Sequence, residues 1–147
     1  MASIKPLGFP IERGKVHEFA NALRAEDPMH HSVEAAQAAG LPSVVAPPTF
    51  TAAAAFFPDD SPRDSPLEGL DMRFLLHGGQ EIVYERPIFA GDLLTAEAGE
   101  TRSWEKEGKR GGKMKFVETE VLYRDADGEL VVRIKNTLIQ TAGTVEE

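Results

Sequence analysis

The segment from residue 50 to residue 57 constrains the fold more than any other part of the chain, because it carries almost no polar side chain. It reads Phe-Thr-Ala-Ala-Ala-Ala-Phe-Phe and lies between Pro47-Pro48-Thr49, which supplies a preset φ and a helix cap, and Pro58, which ends a helix. We predict a helix over residues 50–57. A helix that is apolar on all sides must be enclosed by other elements. We therefore expect a sheet that wraps around it.

The chain after residue 70 has the two-residue periodicity of β-strands. Leu130, Val132 and Ile134 alternate with residues of the opposite face, which is typical of a half-buried strand. Asp127-Gly128 predicts the turn of a hairpin, because glycine accepts the positive φ that such a turn needs. The predicted strands cover residues 70–77, 80–89, 92–104, 113–124 and 129–141.

Shorter helices precede the strands. Residues 14–26 form a predicted helix that Pro28 ends, and Ser32 is a predicted cap for a second helix that runs through Ala39. Helices followed by an antiparallel meander predict an α+β fold, in a single domain over residues 1–147. The buried face of the first helix is expected to carry four apolar residues at helical spacing: Val16, Phe19, Ala20 and Leu23.

The composition argues against several classes of partner. The 147 residues include 16 basic and 24 acidic side chains. The resulting net charge of −8 would repel nucleic acid and anionic membrane surfaces. The chain has no cysteine and four scattered histidines, so we predict neither a metal nor a cofactor. No stretch approaches the roughly 20 apolar residues that span a bilayer, and we expect a cytoplasmic protein.

Several short motifs resemble those of the MaoC-like hot-dog dehydratases and hydratases, and the resemblance covers most of the chain. It is to the N-terminal dehydratase-domain branch, which includes accessory subunits of mycobacterial-type (3R)-hydroxyacyl-thioester dehydratases. The resemblance implies a hot-dog fold, a homodimer or a heterodimer with a second hot-dog subunit, and an acyl-CoA or acyl-carrier-protein thioester as substrate. The motifs are Asp27-Pro28-Met29-His30, Ala46-Pro47-Pro48-Thr49-Phe50, His77-Gly78-Gly79-Gln80-Glu81, Arg86-Pro87 and Gly91-Asp92.

Dehydration of a 3-hydroxyacyl thioester needs a base, an acid and donors for the thioester oxygen. Active members of the resembled family carry an Asp-x-Asn-Pro-aliphatic-His motif, which falls here on residues 25–30. His30 matches the histidine, Asp27 occupies the asparagine position, and Ala25 stands at the position of the catalytic aspartate. We predict His30 and Asp27 as catalytic residues. The alternative for His30 is a histidine that lies in a surface loop or flanks a helix.

Unpaired backbone N–H groups at the start of the apolar helix are natural donors to a thioester oxygen. Alternatively, these residues have no role in substrate binding: Thr49 only caps the helix, and Phe50 only packs in the core. The His-Gly-Gly motif brings an imidazole or a backbone close to a ligand, or else forms a turn or bulge. The predicted substrate-binding residues are Pro48, Thr49, Phe50, Thr51, His77 and Gly78.

We therefore predict a (3R)-hydroxyacyl-thioester dehydratase or enoyl-thioester hydratase, or the substrate-binding subunit of one, in fatty-acid or acyl-CoA metabolism. The first alternative is a non-catalytic module that binds acyl thioesters, because Ala25 lacks a carboxylate. A hot-dog thioesterase ranks third, since residues 50–57 offer no carboxylate to activate water.

Overall fold

The computed structural model describes residues 8–56, 69–109 and 111–142. Among these residues, no helix is long and apolar enough to cross a bilayer. The α-helices are α1, Arg13–Leu23, and α2, Val33–Ala38, and 3-10 helices cover Pro28–His30, Phe50–Phe56 and Met72–Phe74. The strands are β1, Phe9–Pro10; β2, Leu75–Tyr84; β3, Leu93–Glu107; β4, Lys113–Arg124; and β5, Leu130–Gln140.

The strands form one five-stranded antiparallel sheet in the order β1-β3-β4-β5-β2. The edge strand β1 pairs with β3 through Phe9↔Leu94 and Pro10↔Leu93. A proline is tolerated there because an edge strand does not need every N–H for pairing. The long strand β2 forms the opposite edge. This architecture confirms the predicted α+β class.

Contacts group the chain into two compact units. The first contains the described residues of Met1–Ser61, Tyr84–Ala96 and Tyr123–Val132, and the second contains those of Pro62–Val83, Glu97–Leu122 and Arg133–Glu147. The first unit holds both α-helices and most of the buried side chains, whereas the buried residues of the second unit include Val117 and Ile134. The single-domain organisation stays a prediction.

Helix α1 is shorter than predicted. It ends at Leu23, because Arg24 adopts a left-handed conformation with φ 56° and its N–H donates to the carbonyls of Ala20 and Asn21. Pro28 therefore begins a 3-10 turn instead of ending the helix. Val16 and Ala20 are buried as predicted, but Leu23 in the last turn is 52% exposed. The prediction that Leu23 belongs to the buried face was therefore wrong.

The cap of α2 is confirmed. The Ser32 hydroxyl accepts the Ala35 N–H at 3.2 Å, and the helix ends one residue before the predicted Ala39. The apolar segment is helical as predicted, but it forms a 3-10 helix, Phe50–Phe56, and residue 57 lies outside the described residues.

The two strands predicted over residues 70–77 and 80–89 are wrong, since the structure has the single strand β2. The Gly78-Gly79 pair does not interrupt it. A Cβ at Gly78 would lie 2.6 Å from the Ile139 Cδ1, so the glycine makes room for an isoleucine on β5, in the same unit. The two-residue strand β1 was missed, because it is too short to show a periodicity.

The hairpin of β4 and β5 is confirmed within one residue of its predicted bounds. Gly128 has φ +82°, as the predicted turn requires. The turn also depends on Asp125, whose Oδ1 accepts the N–H groups of Asp127 and Glu129, each at 3.0 Å.

Candidate functional site

His30 is a buried histidine with a defined orientation. The Asp27 carboxylate accepts the Met29 N–H at 3.0 Å and caps the short 3-10 turn that ends at His30. The His30 side chain lies with its Nδ1 2.7 Å from the Val45 carbonyl oxygen, and the residue is 7% exposed. Because a carbonyl oxygen only accepts, Nδ1 must carry the proton. In the neutral ring this leaves Nε2 as an acceptor that can exchange a proton.

The main chain on both sides of Val45 holds this turn in place. The Val45 N–H donates to the Met29 carbonyl at 3.1 Å, so residue 45 binds the turn through both of its backbone groups. Val44 and Ala46, the neighbours of Val45, pair with the segment before β3. The Ala46 N–H donates to the Ile88 carbonyl, and the Val44 carbonyl accepts the Ala90 N–H, each at 2.8 Å. The position of His30 is thus set by backbone pairing.

His30 lines a cavity of about 410 Å³ within the first unit. Its walls are mainly apolar, and a mainly apolar pocket with a few polar groups is the usual form of a small-molecule site. The residues that line it are Met29, His30, Val45, Ala46, Pro48, Tyr84, Glu85, Arg86, Pro87 and Ile88.

Arg86 is the cation of this wall, and two carboxylates already bind it. Its guanidinium donates to Asp92 at 2.8 and 3.2 Å and to Asp125 at 3.2 Å. The hydrogen bonds with Asp92, and then the one with Asp125, hold the pKa of Arg86 above its ordinary value against the opposing effect of burial. Asp92 Oδ2 also accepts the Phe89 N–H at 2.9 Å. We conclude that Arg86 stabilises the wall, since its charge is more than balanced before any anion arrives.

The same cluster perturbs the pKa of Asp125. Burial alone would raise that pKa, but hydrogen bonds from the Glu129 N–H, the Arg86 guanidinium and the Asp127 N–H outweigh burial and hold it below the ordinary value. The carboxylate therefore stays charged through the neutral range.

Tyr84 joins two parts of the cavity wall. Its hydroxyl donates to the Pro48 carbonyl at 2.5 Å, and both residues line the cavity. Burial raises the pKa of Tyr84 above its ordinary value. The hydroxyl is therefore a neutral donor whose proton is already engaged.

The structure brings only part of the predicted site together. Of the predicted residues, His30 and Pro48 line the cavity, whereas the Asp27 carboxylate caps the turn outside the set of lining residues. Thr49 is exposed and Thr51 is buried. The roles of these residues in substrate binding and catalysis stay predictions.

Phe50 contributes to the core, as its alternative interpretation stated. Its ring stacks on Phe9 with centroids 5.8 Å apart, and it meets the ring of Phe19 edge-on at 5.3 Å. The Phe50 N–H donates to the Pro47 carbonyl at 2.9 Å, so it is already paired. His77 and Gly78 lie on β2 in the second unit, where His77 is exposed.

His31 belongs to a separate hydrogen-bonded group. Its Nε2 lies 2.7 Å from the Ala25 carbonyl, and its Nδ1 lies 2.7 Å from Nδ1 of His17. It therefore ties the segment after α1 to the turn that carries His30. In the part of the chain that the structure describes, no three His, Cys, Asp or Glu residues are grouped so as to hold a metal ion.

Sequence reasoning missed the groups that complete the cavity. Val45 acts through its main chain, which no side-chain pattern reveals. Tyr84 and Glu85 enter the site because β2 ends there, and the bounds of that strand were predicted wrongly. Arg86 belonged to the quoted motif Arg86-Pro87, but its pairing with Asp125 requires the tertiary structure.

Comparison with known proteins identifies the family. Residues 2–134 match the family described as FAS1-like, dehydratase domain region. The chain belongs to this family. The chain is also 35% identical to a UPF0336 protein of Saccharopolyspora erythraea, over 95% of this chain and 85% of that protein.

Solved structures agree with this assignment. The domain is similar to a chain of the C-terminally truncated HadBC (3R-hydroxyacyl-ACP dehydratase) complex from Mycobacterium tuberculosis, at 28% identity over 91% of each chain, with a TM-score of 0.66. It is also similar to a MaoC-like dehydratase, at 27% identity and a TM-score of 0.72, over 92% of this chain and 40% of that chain. The comparisons confirm the predicted resemblance and the hot-dog fold. The domain thus belongs to a family of the hydratase and dehydratase type.

Proposed function

We propose that this domain is the substrate-binding subunit of a hydro-lyase that interconverts 3-hydroxyacyl and 2-enoyl thioesters together with a second hot-dog subunit. One observation carries the proposal: the cavity holds a histidine oriented for proton exchange, but residue 25 lacks the carboxylate that the dehydratase motif pairs with it. His30 Nδ1 is fixed on the Val45 carbonyl, and its Nε2 remains as the exchanging atom.

The reaction needs two proton-exchanging groups. Hydration of an enoyl thioester adds hydroxide at C3 and a proton at C2, so one group deprotonates water while another delivers the proton. In this cavity Arg86 cannot lose its proton, and the Tyr84 hydroxyl already donates to Pro48. The Glu85 carboxylate also lines the cavity, but the residue is exposed and lies outside the Asp-to-His spacing of the family motif. Asp27 is bound to the Met29 N–H, which suits it to hold the turn in place for His30.

The missing carboxylate comes, in this proposal, from a second hot-dog subunit that carries the complete Asp/His motif. Support comes from the similar HadBC structure, which is a dehydratase complex. The edge strand β2 adds support, since Leu76 and Val83 on it are 56% and 42% exposed. Exposed hydrophobic residues on an edge strand favour pairing with another chain.

The ligand is an acyl thioester, carried by coenzyme A or by a carrier protein. A cavity of about 410 Å³ with apolar walls suits an acyl group, and the imidazole at its wall suits a 3-hydroxyl group or the attacking water. Arg86 is not available for a phosphate, so we place the phosphates of the carrier outside this cavity.

Calorimetric titration of the isolated chain with crotonyl-CoA and with crotonyl carrier protein tests the proposal. We expect saturable binding of at least one thioester, with free coenzyme A and the free carrier protein as controls. The arm that binds identifies the carrier. Absence of binding to both thioesters, by the chain alone and by its mixture with a second hot-dog subunit, would overturn the proposal.

The orientation of His30 also favours a second candidate function. In this case the chain carries a nearly complete hydratase site, which would become active without a second subunit once one carboxylate is added. Ala25→Asp restores the Asp-to-His spacing of the family motif. A gain in hydratase turnover by this variant alone would favour the second candidate. A folded variant that binds thioester without any gain would favour the binding subunit.

A further inference from the structure

Glu85 is an acidic residue of the His30 cavity to which the proposed reaction gives no role. Among the described residues that line this cavity, it alone carries a carboxylate. It follows the last residue of β2, and its N–H donates to the Val131 carbonyl at 2.8 Å. The main chain of Glu85 is therefore fixed beside β5, while the residue remains exposed to solvent.

The carboxylate of Glu85 is open to a ligand. It forms no hydrogen bond or ion pair with any other residue that the structure describes. Asp92 and Asp125 differ from it, since the carboxylates of both bind Arg86. A carboxylate has two oxygens that accept hydrogen bonds, so Glu85 keeps its acceptor capacity for a bound molecule.

The polar side chains of the cavity divide into engaged donors and open acceptors. The Tyr84 hydroxyl already donates to a main-chain carbonyl, and the Arg86 guanidinium already donates to two carboxylates. The side-chain groups that remain are the Glu85 carboxylate and Nε2 of the neutral His30 ring, and both accept hydrogen bonds. A ligand that pairs with these groups must bring a donor of its own.

We infer that Glu85 is a specificity-determining residue whose carboxylate accepts a hydrogen bond from the 3-hydroxyl group of the bound acyl thioester. The inference rests on the proposed function and deepens it, because it makes the hydroxyacyl form the one that this chain holds in preference to the saturated form. Glu85 exchanges no proton in this role. It orients the hydroxyl group, whose oxygen lone pairs then remain free to accept a proton.

The expected discrimination is moderate because Glu85 is exposed. A hydrogen bond to a charged acceptor strengthens binding by about tenfold or more. Water solvates an exposed carboxylate again when the ligand has no hydroxyl group, so we expect the lower limit, about tenfold. Without the carboxylate, the hydroxyl group would lose its hydration in a mainly apolar cavity, and the preference for it would disappear.

Glu81 provides a matched control for Glu85. It lies on β2, is exposed, and is not one of the residues that line the His30 cavity. Glu85→Met and Glu81→Met remove the same charge and keep a side chain of similar length. A change in the long-range repulsion of the anionic coenzyme A is therefore common to both variants.

Calorimetric titration of the full chain and its variants with 3-hydroxybutyryl-CoA and butyryl-CoA, or with the corresponding carrier-protein thioesters, measures the preference for the hydroxyl group. The two acyl groups differ in that group alone. We expect the wild type and Glu81→Met to bind the hydroxybutyryl thioester about tenfold more tightly, and Glu85→Met to bind the two thioesters within about twofold of each other. Glu85→Gln keeps an uncharged acceptor and should retain part of the preference.

Equal wild-type affinity for the two thioesters, an unchanged preference in Glu85→Met, or an equal loss of preference in Glu81→Met would overturn the inference alone. A preference in Glu85→Gln as large as that of the wild type would overturn the role of the charge and the inference with it. Failure of the wild type to bind either thioester, both alone and in mixture with a second hot-dog subunit, would overturn the proposed function.

Discussion

His30→Ala removes a side chain that is 7% exposed and that donates its Nδ1 proton to the Val45 carbonyl at 2.7 Å. The carbonyl then loses a buried partner, which costs about 1–3 kcal/mol. For a chain of this length, the loss corresponds to roughly 2–12 °C in the unfolding midpoint. If Nε2 also exchanges a proton with the substrate, turnover in the presence of the second subunit should fall by about 10²- to 10⁴-fold.

His30→Asn separates the two effects. The asparagine amide nitrogen takes the place of Nδ1 and donates to Val45, but nothing takes the place of Nε2. We expect the free energy of unfolding of this variant to stay within about 1 kcal/mol of the wild type, while its turnover falls as far as that of the alanine variant. Urea unfolding at one protein concentration and hydration of crotonyl thioester measure the two quantities. Turnover within about tenfold of the wild type would refute a role for His30 in proton exchange.

Two further predictions concern the pH dependence and the packing of the chain. The folded pKa of Asp125 lies below its unfolded value of about 3.9, so its contribution to stability is present above pH 4 and is lost as the pH falls through the folded pKa. Asp125→Asn weakens the interaction with Arg86 and should make the midpoint of urea unfolding depend less on pH in that range. An unchanged dependence of the midpoint on acid pH would contradict this. Gly78→Ala should destabilise the chain by about 1 kcal/mol, because its Cβ would lie 2.6 Å from the Ile139 Cδ1 and 3.3 Å from the Thr137 carbonyl oxygen. Gly79→Ala meets nothing within 4 Å and should be neutral in the same urea assay. Equal effects of the two substitutions would contradict the packing role of Gly78.

Local patterns in the sequence predicted those elements whose formation depends on neighbouring residues. The Ser32 cap and the hairpin of β4 and β5 appeared as expected, because capping and turn geometry act over a few residues. The predicted interruption of the strand at Gly78-Gly79 was wrong, because a local pattern does not show that Ile139 needs space across the sheet.

The candidate site was predicted in part for a similar reason. The spacing of the motif singled out His30, but the acceptor that orients it is a main-chain carbonyl 15 residues away. The wall cluster joins Arg86 to Asp125 across 39 residues of sequence, which only the folded chain brings together. Short-range motifs thus name a side chain, whereas its orientation depends on tertiary pairing.

The central claim is that this domain binds the acyl thioester while a second hot-dog subunit completes the active site. The most direct measurement is the rate of crotonyl-thioester hydration by the purified chain, by a hot-dog subunit that carries the complete Asp/His motif, and by their equimolar mixture. The account predicts a mixture that is much faster than the sum of the two separate rates, with little turnover by this chain alone. A mixture no faster than that sum, at concentrations where the two chains form a complex, would contradict it.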